Sequence, residues 1–400
     1  MFAKLVSHND DLRRLIDAGY AVAFEPGYLI VRDVSYLDHE RNLRFGALVA
    51  KLNDIDGKRV IPSDHQAYFA GSQPHGLDGR PILNLGGGAT QLPLGEACKD
   101  IIVERSFSNK PRRNGQFVDY ADHFEKIENY VGVISGPAIE LHGDKASPLT
   151  FRYVDNGENQ SVFTFQDTLT SRAGITDLAQ KFKDDVIAII GLGGTGGYLL
   201  DFLVKTPVRE IRAYDMDDFH VHNAYRSPGK LDSAELGNKK ANVCQSRYEN
   251  FRHGLKIKQQ FVDASCAEEF DGVTFAFVCV DKGPSRAGIF DLLIAKGIPF
   301  IDVGMGLHRQ HNLLTGLIRT IYCPPEKAEQ VRASGWTDLK TDPNDLYRTN
   351  IQTAELNALN ACLAVIRFKQ IRGFYAEESS ILNLIFDLKD LGSVAETETP

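Results

Sequence analysis

The sequence predicts an α/β fold: a doubly wound, mostly parallel sheet over residues 165–392, preceded by an α+β domain over residues 1–150. Three observations carry that expectation. From residue 184 onward, short apolar strands alternate with helical stretches, which is the sequence form of consecutive βαβ units. The apolar run VIAII (186–190) passes directly into the glycine-rich GLGGTG (191–196) and then into an apolar helical stretch. Residues 60–150 show no such alternation and mix short apolar runs with Gly, Pro and His.

Taken in order, Asn9 is placed to cap a short helix over 9–19 and Gly19 to end it. AVAFEPGYLIVRDVSYL reads as two strands around a Pro26–Gly27 turn. The polar stretch VDNGENQ (154–160) reads as a surface loop or linker. Then come the strand VIAII, a helix over 196–205, the strand VREIRAY and a long helix over 233–252. The strands KIKQQFV and TFAFVCV, a helix over 284–296 and the strand PFIDVG continue the alternation. LLTGLIRTIY is a further strand, the stretch from Asn350 a long helix ending at Gly373, and ILNLIFDL a final strand before eight frayed residues.

At 400 residues the chain exceeds one typical domain, and it is long enough to bury a core without disulfides or metal. A net charge of −8 with no concentrated basic run argues against a nucleic-acid partner. No apolar run reaches the length of a membrane span, and the opening MFAKLVSHNDDLRRL lacks an apolar signal core. The six cysteines form no CxxC pair, the pattern of reduced thiols in a cytoplasmic protein.

The glycines define the first chemical expectation. Gly191, Gly193, Gly194 and Gly196 let the backbone turn tightly and approach a phosphate, while the following helix aims its free N–H groups at the anion. Asp215, closing the second strand, is placed to hold ribose hydroxyls. To this point a nicotinamide dinucleotide and ATP fit equally well. Asn223, Arg226 and Lys240 tip the balance, because a dehydrogenase needs no such set converging on phosphates. Nucleotidyl transfer does, since charge builds on the α-phosphate as a nucleophile attacks. Asp281, at the end of the fourth strand, is a carboxylate suited to Mg²⁺ against the pyrophosphate leaving group. Lys239, beside Lys240, reads as an exposed neighbour.

On GLGGTG, Asp215 and Asp217, Asn223 and Arg226, Lys240 and Asp281, the sequence resembles the ThiF/MoeB/HesA-type adenylyltransferases of the ubiquitin-activating-enzyme-like superfamily, in a bacterial form with an added N-terminal domain. FIDVGMG followed by LLTGLIRTIY, and the long helix from Asn350, extend the resemblance over roughly residues 165–390. It implies that the C-terminal carboxylate of a ubiquitin-like protein attacks the α-phosphate of MgATP to give an acyl-adenylate and pyrophosphate. It implies that the glycines line the phosphates, that Asp215 and Asp217 belong to the nucleotide site, and that Asn223, Arg226 and Lys240 contact phosphate oxygens. It also implies Mg²⁺ on Asp281, Arg172 as an arginine donated across a homodimer, and a conjugating-enzyme-like partner. The alternatives are an NAD(P)-dependent oxidoreductase on the same loop and adenylation of a small-molecule carboxylate, as in a tRNA-modifying dehydratase of the superfamily.

The chain departs from that pattern twice. Cys323 is followed by two prolines with no cysteine nearby, so no structural zinc is expected. The crossover region at about 326–349 contains no cysteine to form a thioester. Cys362 reads as a core thiol, which leaves Cys323 as the thiol candidate and Ser334, Thr337 or Thr341 as hydroxyl candidates, with Asp338 and Asp342 close in sequence. In the first half, GGG at 86–88 lacks the downstream polar set. His65 and His75 stand out as a possible ligand or catalytic pair, and Lys110, Arg112 and Arg113 as a small basic cluster. This half is expected to recruit the ubiquitin-like protein or its conjugating partner.

Overall fold

The protein is described by a computed structural model that covers residues 2–56, 58–95, 98–154, 161–165, 167–173, 175–280, 283–337 and 351–397. The chain divides into two compact units, Met1–Thr176 and Asp177–Pro400. The expected linker at 154–160 lies almost wholly outside the described residues.

The first unit opens with helices α1 (Phe2–His8) and α2 (Asp10–Ala18). Asn9 precedes α2 but accepts no capping bond from it; its side chain instead bonds Leu5, Lys58 and Val60. Gly19 closes α2 at φ 106°. Strands β1 (Ala21–Glu25) and β2 (Tyr28–Leu37) flank the Pro26–Gly27 turn as the sequence predicts. β3 (Leu43–Asp54), β4 (Val60–Pro62), β5 (Gln66–Ala70), β6 (Gly88–Ala89) and β7 (Arg105–Ser108) complete a sheet of order β1-β2-β3-β5-β7-β6, with β4 on β3. β8 (Arg112–Arg113) and β9 (Gln116–Phe117) form a small separate hairpin. Helix α3 (His123–His142) is capped by Asp122, whose carboxylate accepts from Glu125 N at 2.7 Å. Ile127, Tyr130 and Ile134 of α3 bury against Leu29, Val31, Leu48 and Phe69 of the sheet. The short α4 (Thr168–Arg172) lies near the end of this unit.

α5 (Thr176–Ala179) leads into the second unit. There β10 (Val186–Ile190), α6 (Gly194–Val204), β11 (Glu210–Tyr214), α7 (Val221–Ala224), α8 (Lys240–Tyr248), β12 (Leu255–Lys258), β13 (Phe275–Val278), α9 (Gly283–Ala295) and β14 (Phe300–Gln310) follow one another. β15 (Leu313–Cys323), α10 (Ala328–Ala333), α11 (Ala354–Ile371), β16 (Ile381–Asp387) and β17 (Gly392–Thr397) complete it. The sheet order is β12-β11-β10-β13-β14-β15-β16-β17. The first five strands are parallel and the last three turn antiparallel. β10 is buried at every position because helices cover both of its faces, which is why VIAII shows no polar alternation. Ile187, Ile189 and Phe277 pack toward α6 and α11, while Ala188, Ile190 and Val278 pack toward α9.

Three expectations need correction. The helix foreseen over 233–252 is a single 3₁₀ turn at Ser233–Glu235 followed by α8, interrupted where Gly237 takes φ 82°. The strand at PFIDVG runs on to Gln310 and pairs with β15 along its whole length. ILNLIFDL is not the final strand, because β17 pairs with it across most of the tail expected to fray.

Candidate functional site

The glycine loop sits where β10 ends. Gly191 adopts φ 94°, and a Cβ there would stand 2.8 Å from Cys279 O, so a side chain is excluded by conformation and by space. A Cβ on Gly196 would lie 1.9 Å from Gly191 O. One on Gly194 would lie 2.3 Å from the Asn357 amide. At Gly193, which precedes the first turn of α6, a Cβ would meet nothing within 4 Å. Three glycines therefore close the loop onto its own backbone, β13 and α11, and the fourth faces open space at a helix N-terminus. That division of labour fits a phosphate cradle.

Asp215 follows β11 and is 9% exposed. Its Oδ2 accepts from Leu192 N at 2.7 Å and its Oδ1 from Asp217 N at 2.9 Å, so the carboxylate ties the glycine loop to the next strand end. Burial holds its pKa above the ordinary carboxylate value despite the opposing charge of Lys240 and those two backbone bonds. Lys240, also buried, donates to Asp217 Oδ2 at 2.8 Å and stands 3.7 Å from Asp215 Oδ1. The pairing of Phe219 with Gly237 and Asn238 brings residues 217 and 240 together. Lys239, read from the sequence as simply exposed, is half-buried and pairs with Asp218.

Asn223 is 2% exposed on α7, where its Oδ1 accepts from His220 N at 2.8 Å while the His220 side chain accepts from the Asn223 backbone. Arg226 follows, and its Nε is buried without a hydrogen-bond partner among the described residues. The positive charges of Arg226 and Lys240 both act on His222, whose pKa is lowered first by desolvation and then by Arg226. His220 and His222 stack with ring centroids 5.7 Å apart. The structure thus brings together the glycine loop, Asp215, Asp217 and Lys240 in one contact network, and Asn223 and Arg226 on one turn, with Arg226 and Lys240 both acting on His222. Sequence reading did not single out His220, His222, Thr195 or Asn357. Thr195 donates to Asn357 Oδ1 at 2.8 Å across 162 residues, a pairing with no local signal.

Asp281 lies outside the described residues, as does the side chain of Arg172 on α4. Cys323, retained from the sequence as a thiol nucleophile, is 1% exposed opposite Phe300. Burial, reinforced by the Asp302 charge, pushes its thiol up to about 12, so it is a core cysteine without thiolate character. Cys362 is half-buried on α11 with its thiol also raised by burial. Ser334 Oγ donates to Val331 O and accepts from Trp336 N, whereas Thr337 is buried with no partner for its hydroxyl among the described residues. Thr341, Asp338 and Asp342 lie outside the described residues.

In the first unit, His65 bonds Ser108 while the ring nearest His75 is that of His39, at 6.2 Å, so the described contacts do not make His65 and His75 a pair. Lys110 pairs with Asp119 and Arg113 with Glu125, which neutralises two of the three cations, while Arg112 lies over the Phe117 ring and keeps its charge. Among the described residues, no helix is long and apolar enough to cross a membrane.

Comparison with known proteins supplies the family context. Residues 167–336 match the model of the ThiF family. Residues 10–168 match a domain of unknown function, DUF6791. A 129-residue stretch is 26% identical to the tRNA threonylcarbamoyladenosine dehydratase of Escherichia coli strain K12, covering 31% of this chain and 48% of that protein. The match thus spans about half the length of that curated relative. Among solved structures, PaaA resembles 56% of this chain over 76% of its own at TM-score 0.42 and 17% identity. The E. coli dehydratase in complex with AMP resembles 51% of this chain over 92% of its own at TM-score 0.40 and 19% identity. E. coli MccB crystallised with ATP resembles 57% over 69% at TM-score 0.42 and 13% identity.

Proposed function

From a ThiF-family domain at residues 167–336, carried behind a separate N-terminal domain, we propose that this chain is an ATP-dependent adenylyltransferase. In this reading the C-terminal carboxylate of a ubiquitin-like protein is activated as an acyl-adenylate. The observation that carries the reading is the pair of cations at the loop. Lys240 is buried against Asp215 and Asp217, and Arg226 carries a buried Nε with no partner among the described residues. A dinucleotide held by backbone amides needs neither, whereas an α-phosphate under attack gains charge that fixed cations stabilise.

The step is an exchange of bonds at phosphorus. A carboxylate oxygen bonds to the α-phosphorus, the bond from that phosphorus to the bridging oxygen breaks, and pyrophosphate departs with the electron pair. The glycine loop and the N-terminus of α6 hold phosphate oxygens, Asp215 holds the ribose, and Arg226 with the Nδ2 edge of Asn223 follows the developing charge. Mg²⁺, assigned to Asp281, would neutralise the leaving group when bound, and the steps described here are carried by the protein's own cations. The reaction ends at the acyl-adenylate, to be taken by a conjugating-enzyme-like partner recruited through residues 1–150. A two-fold homodimer, with Arg172 reaching a neighbouring site, completes the proposal.

ATP–pyrophosphate exchange with a candidate ubiquitin-like protein tests this. Exchange that requires that protein and falls by at least about 100-fold in Lys240→Ala supports the reading. Tight NAD binding with no exchange for any protein or small carboxylate would replace it with the oxidoreductase alternative. The partial match to a tRNA-modifying dehydratase favours one second reading, adenylation of a small carboxylate, and exchange driven by such a compound alone identifies it.

A further inference from the structure

The first unit holds a hydroxyl and an imidazole in contact, and the adenylation reading uses neither. Ser108 Oγ lies 3.0 Å from His65 Nε2, between residues 43 apart in sequence. Ser108 ends β7 and stands opposite Gln66 of β5 in the antiparallel pair. Strand alternation sends its neighbour Phe107 into the core and leaves Ser108 exposed on the other face. His65, the residue before β5, is half-buried. In the neutral tautomer with its proton on Nδ1, the ring accepts at Nε2 from the Ser108 hydroxyl.

Buried polar side chains fix the backbone around both residues. Tyr130 of α3, 0% exposed, donates its hydroxyl to His65 O at 2.6 Å and accepts from Asn109 N at 2.8 Å, so one phenol joins the two strand ends. Tyr120 donates to Asn109 O at 3.0 Å. Lys126 of α3, with no exposed side chain, donates to Asp64 O at 2.9 Å. Burying an ammonium and two phenols is unfavourable unless they are bonded, and these three bond the backbone of residues 64, 65 and 109. On the β6 side of β7, Gly86 passes at φ 60°, where a Cβ would stand 2.8 Å from Ser108 O and 3.6 Å from its Cβ. The glycine thus keeps a side chain off that flank of Ser108. A hydroxyl is a weak nucleophile until a base is held within hydrogen-bond reach, and this framework holds one there.

We propose that Ser108 and His65 form a catalytic pair that takes acyl groups from activated esters and thioesters and releases them to water. Ser108 Oγ bonds to the acyl carbonyl carbon while His65 Nε2 takes the hydroxyl proton. The bond from that carbon to the leaving oxygen or sulfur breaks, and His65 gives the proton to the leaving group. Water then attacks the acyl-serine with His65 again as base. The bond to Oγ breaks, Oγ regains a proton, and a carboxylic acid departs. Among the described residues no carboxylate hydrogen-bonds His65, so the pair lacks the third member of a full triad. That decides the substrate class: the acyl group must already carry a good leaving group. No nucleotide takes part, so the proposal stands apart from the adenylation reading.

The experiment treats the full chain with p-nitrophenyl acetate. Absorbance follows nitrophenolate release, and mass spectrometry of acid-quenched samples maps the acetylated residues. Alkaline hydroxylamine separates an ester on serine from the stable amides that exposed lysines form. In the wild type, Ser108 carries a hydroxylamine-labile acetyl group. Its acetylation slows by about 100-fold or more in His65→Gln, the loss of a general base, and the labelled site disappears in Ser108→Ala. An unlabelled Ser108 in the wild type, or Ser108 labelled at the wild-type rate in folded His65→Gln, overturns the pair. Should His65→Gln not fold, Ser108→Ala decides alone, because that side chain is exposed: undiminished nitrophenolate release overturns the proposal. Failed acetylation of Ser108 leaves the adenylation reading standing, and failed ATP–pyrophosphate exchange leaves this pair standing.

Discussion

Gly193 and Gly196 stand three residues apart in one loop and meet opposite surroundings. A Cβ at 196 would overlap the carbonyl of Gly191, whereas one at 193 would enter open space on an ordinary φ of −68°. Gly196→Ala should therefore cost a few kcal/mol of stability through backbone displacement. Gly193→Ala should melt within about 2 °C of wild type yet weaken ATP binding at least about tenfold, because its methyl occupies the approach of the phosphate. Thermal melts beside ATP titrations separate the two, and equal melting of both variants would contradict the geometry. The glycine turn and the strand-end position of Asp215 were legible in the sequence because a tight turn and a strand end answer to local rules. Other parts of the site were not. Asn223 spends its Oδ1 on a helix cap, and Cys323 lies in the core, and neither fact can be read from residue type and spacing.

Whole elements show the same boundary between local and distant information. β10 and β13 were readable as short apolar runs because a central parallel strand is covered on both faces. α8 was overextended because residues 233–252 satisfy helical composition, whereas Leu236 and Lys239 are extended, Gly237 is left-handed and the helix ends at Tyr248. That break lets residues 237–240 double back on Asp217–Phe219 and deliver Lys240 to Asp215. β17 went unread because its polar tail gains strand structure only by pairing with β16. The packing of α6 on α11 was equally distant in sequence, yet it fixes the far side of the glycine loop. Asn357 accepts from Thr195, donates to Thr353 O, and fills the space where Gly194 has no side chain. Asn357→Ala should cost about 1–3 kcal/mol and loosen ATP binding, since it strands the Thr195 hydroxyl and opens a gap behind the loop. Denaturant titration and ATP affinity measured on the same variant check this. A variant as stable and as tight-binding as wild type would show that α11 does not support the loop.

At the scale of the molecule, the two units carry buried titrating groups of opposite sign. His123 of α3 is fully buried, and desolvation, with the Lys126 charge added and only a backbone bond at Ile61 opposing, lowers it to about 4. Its folded pKa lies below the unfolded value, so the unfolded chain binds more protons between about 4 and 6.5 and the first unit loses stability as pH falls through that window. Lys126, also fully buried and lowered to about 8, extends the trend, with stability rising between about 8 and 10.5. Asp302 does the reverse in the second unit. Burial raises it to about 6 against the attraction of Arg286 and Arg319, so its contribution is fully present below the ordinary carboxylate range and is lost as pH rises through about 6. The buried Asp215 is raised in the same direction. Each of the His123 and Asp302 differences is worth on the order of 3 kcal/mol. From pH 4 to 6, these groups therefore strengthen the first unit and weaken the second. Hydrogen exchange on the full chain, corrected for the intrinsic pH dependence of exchange and resolved over residues 1–176 and 177–400, should show protection moving in opposite directions. His123→Gln should flatten the slope of the first unit alone, and Asp302→Asn that of the second alone. Parallel slopes in both units, unchanged by either substitution, would mean that these two buried groups do not govern how the molecule responds to acid.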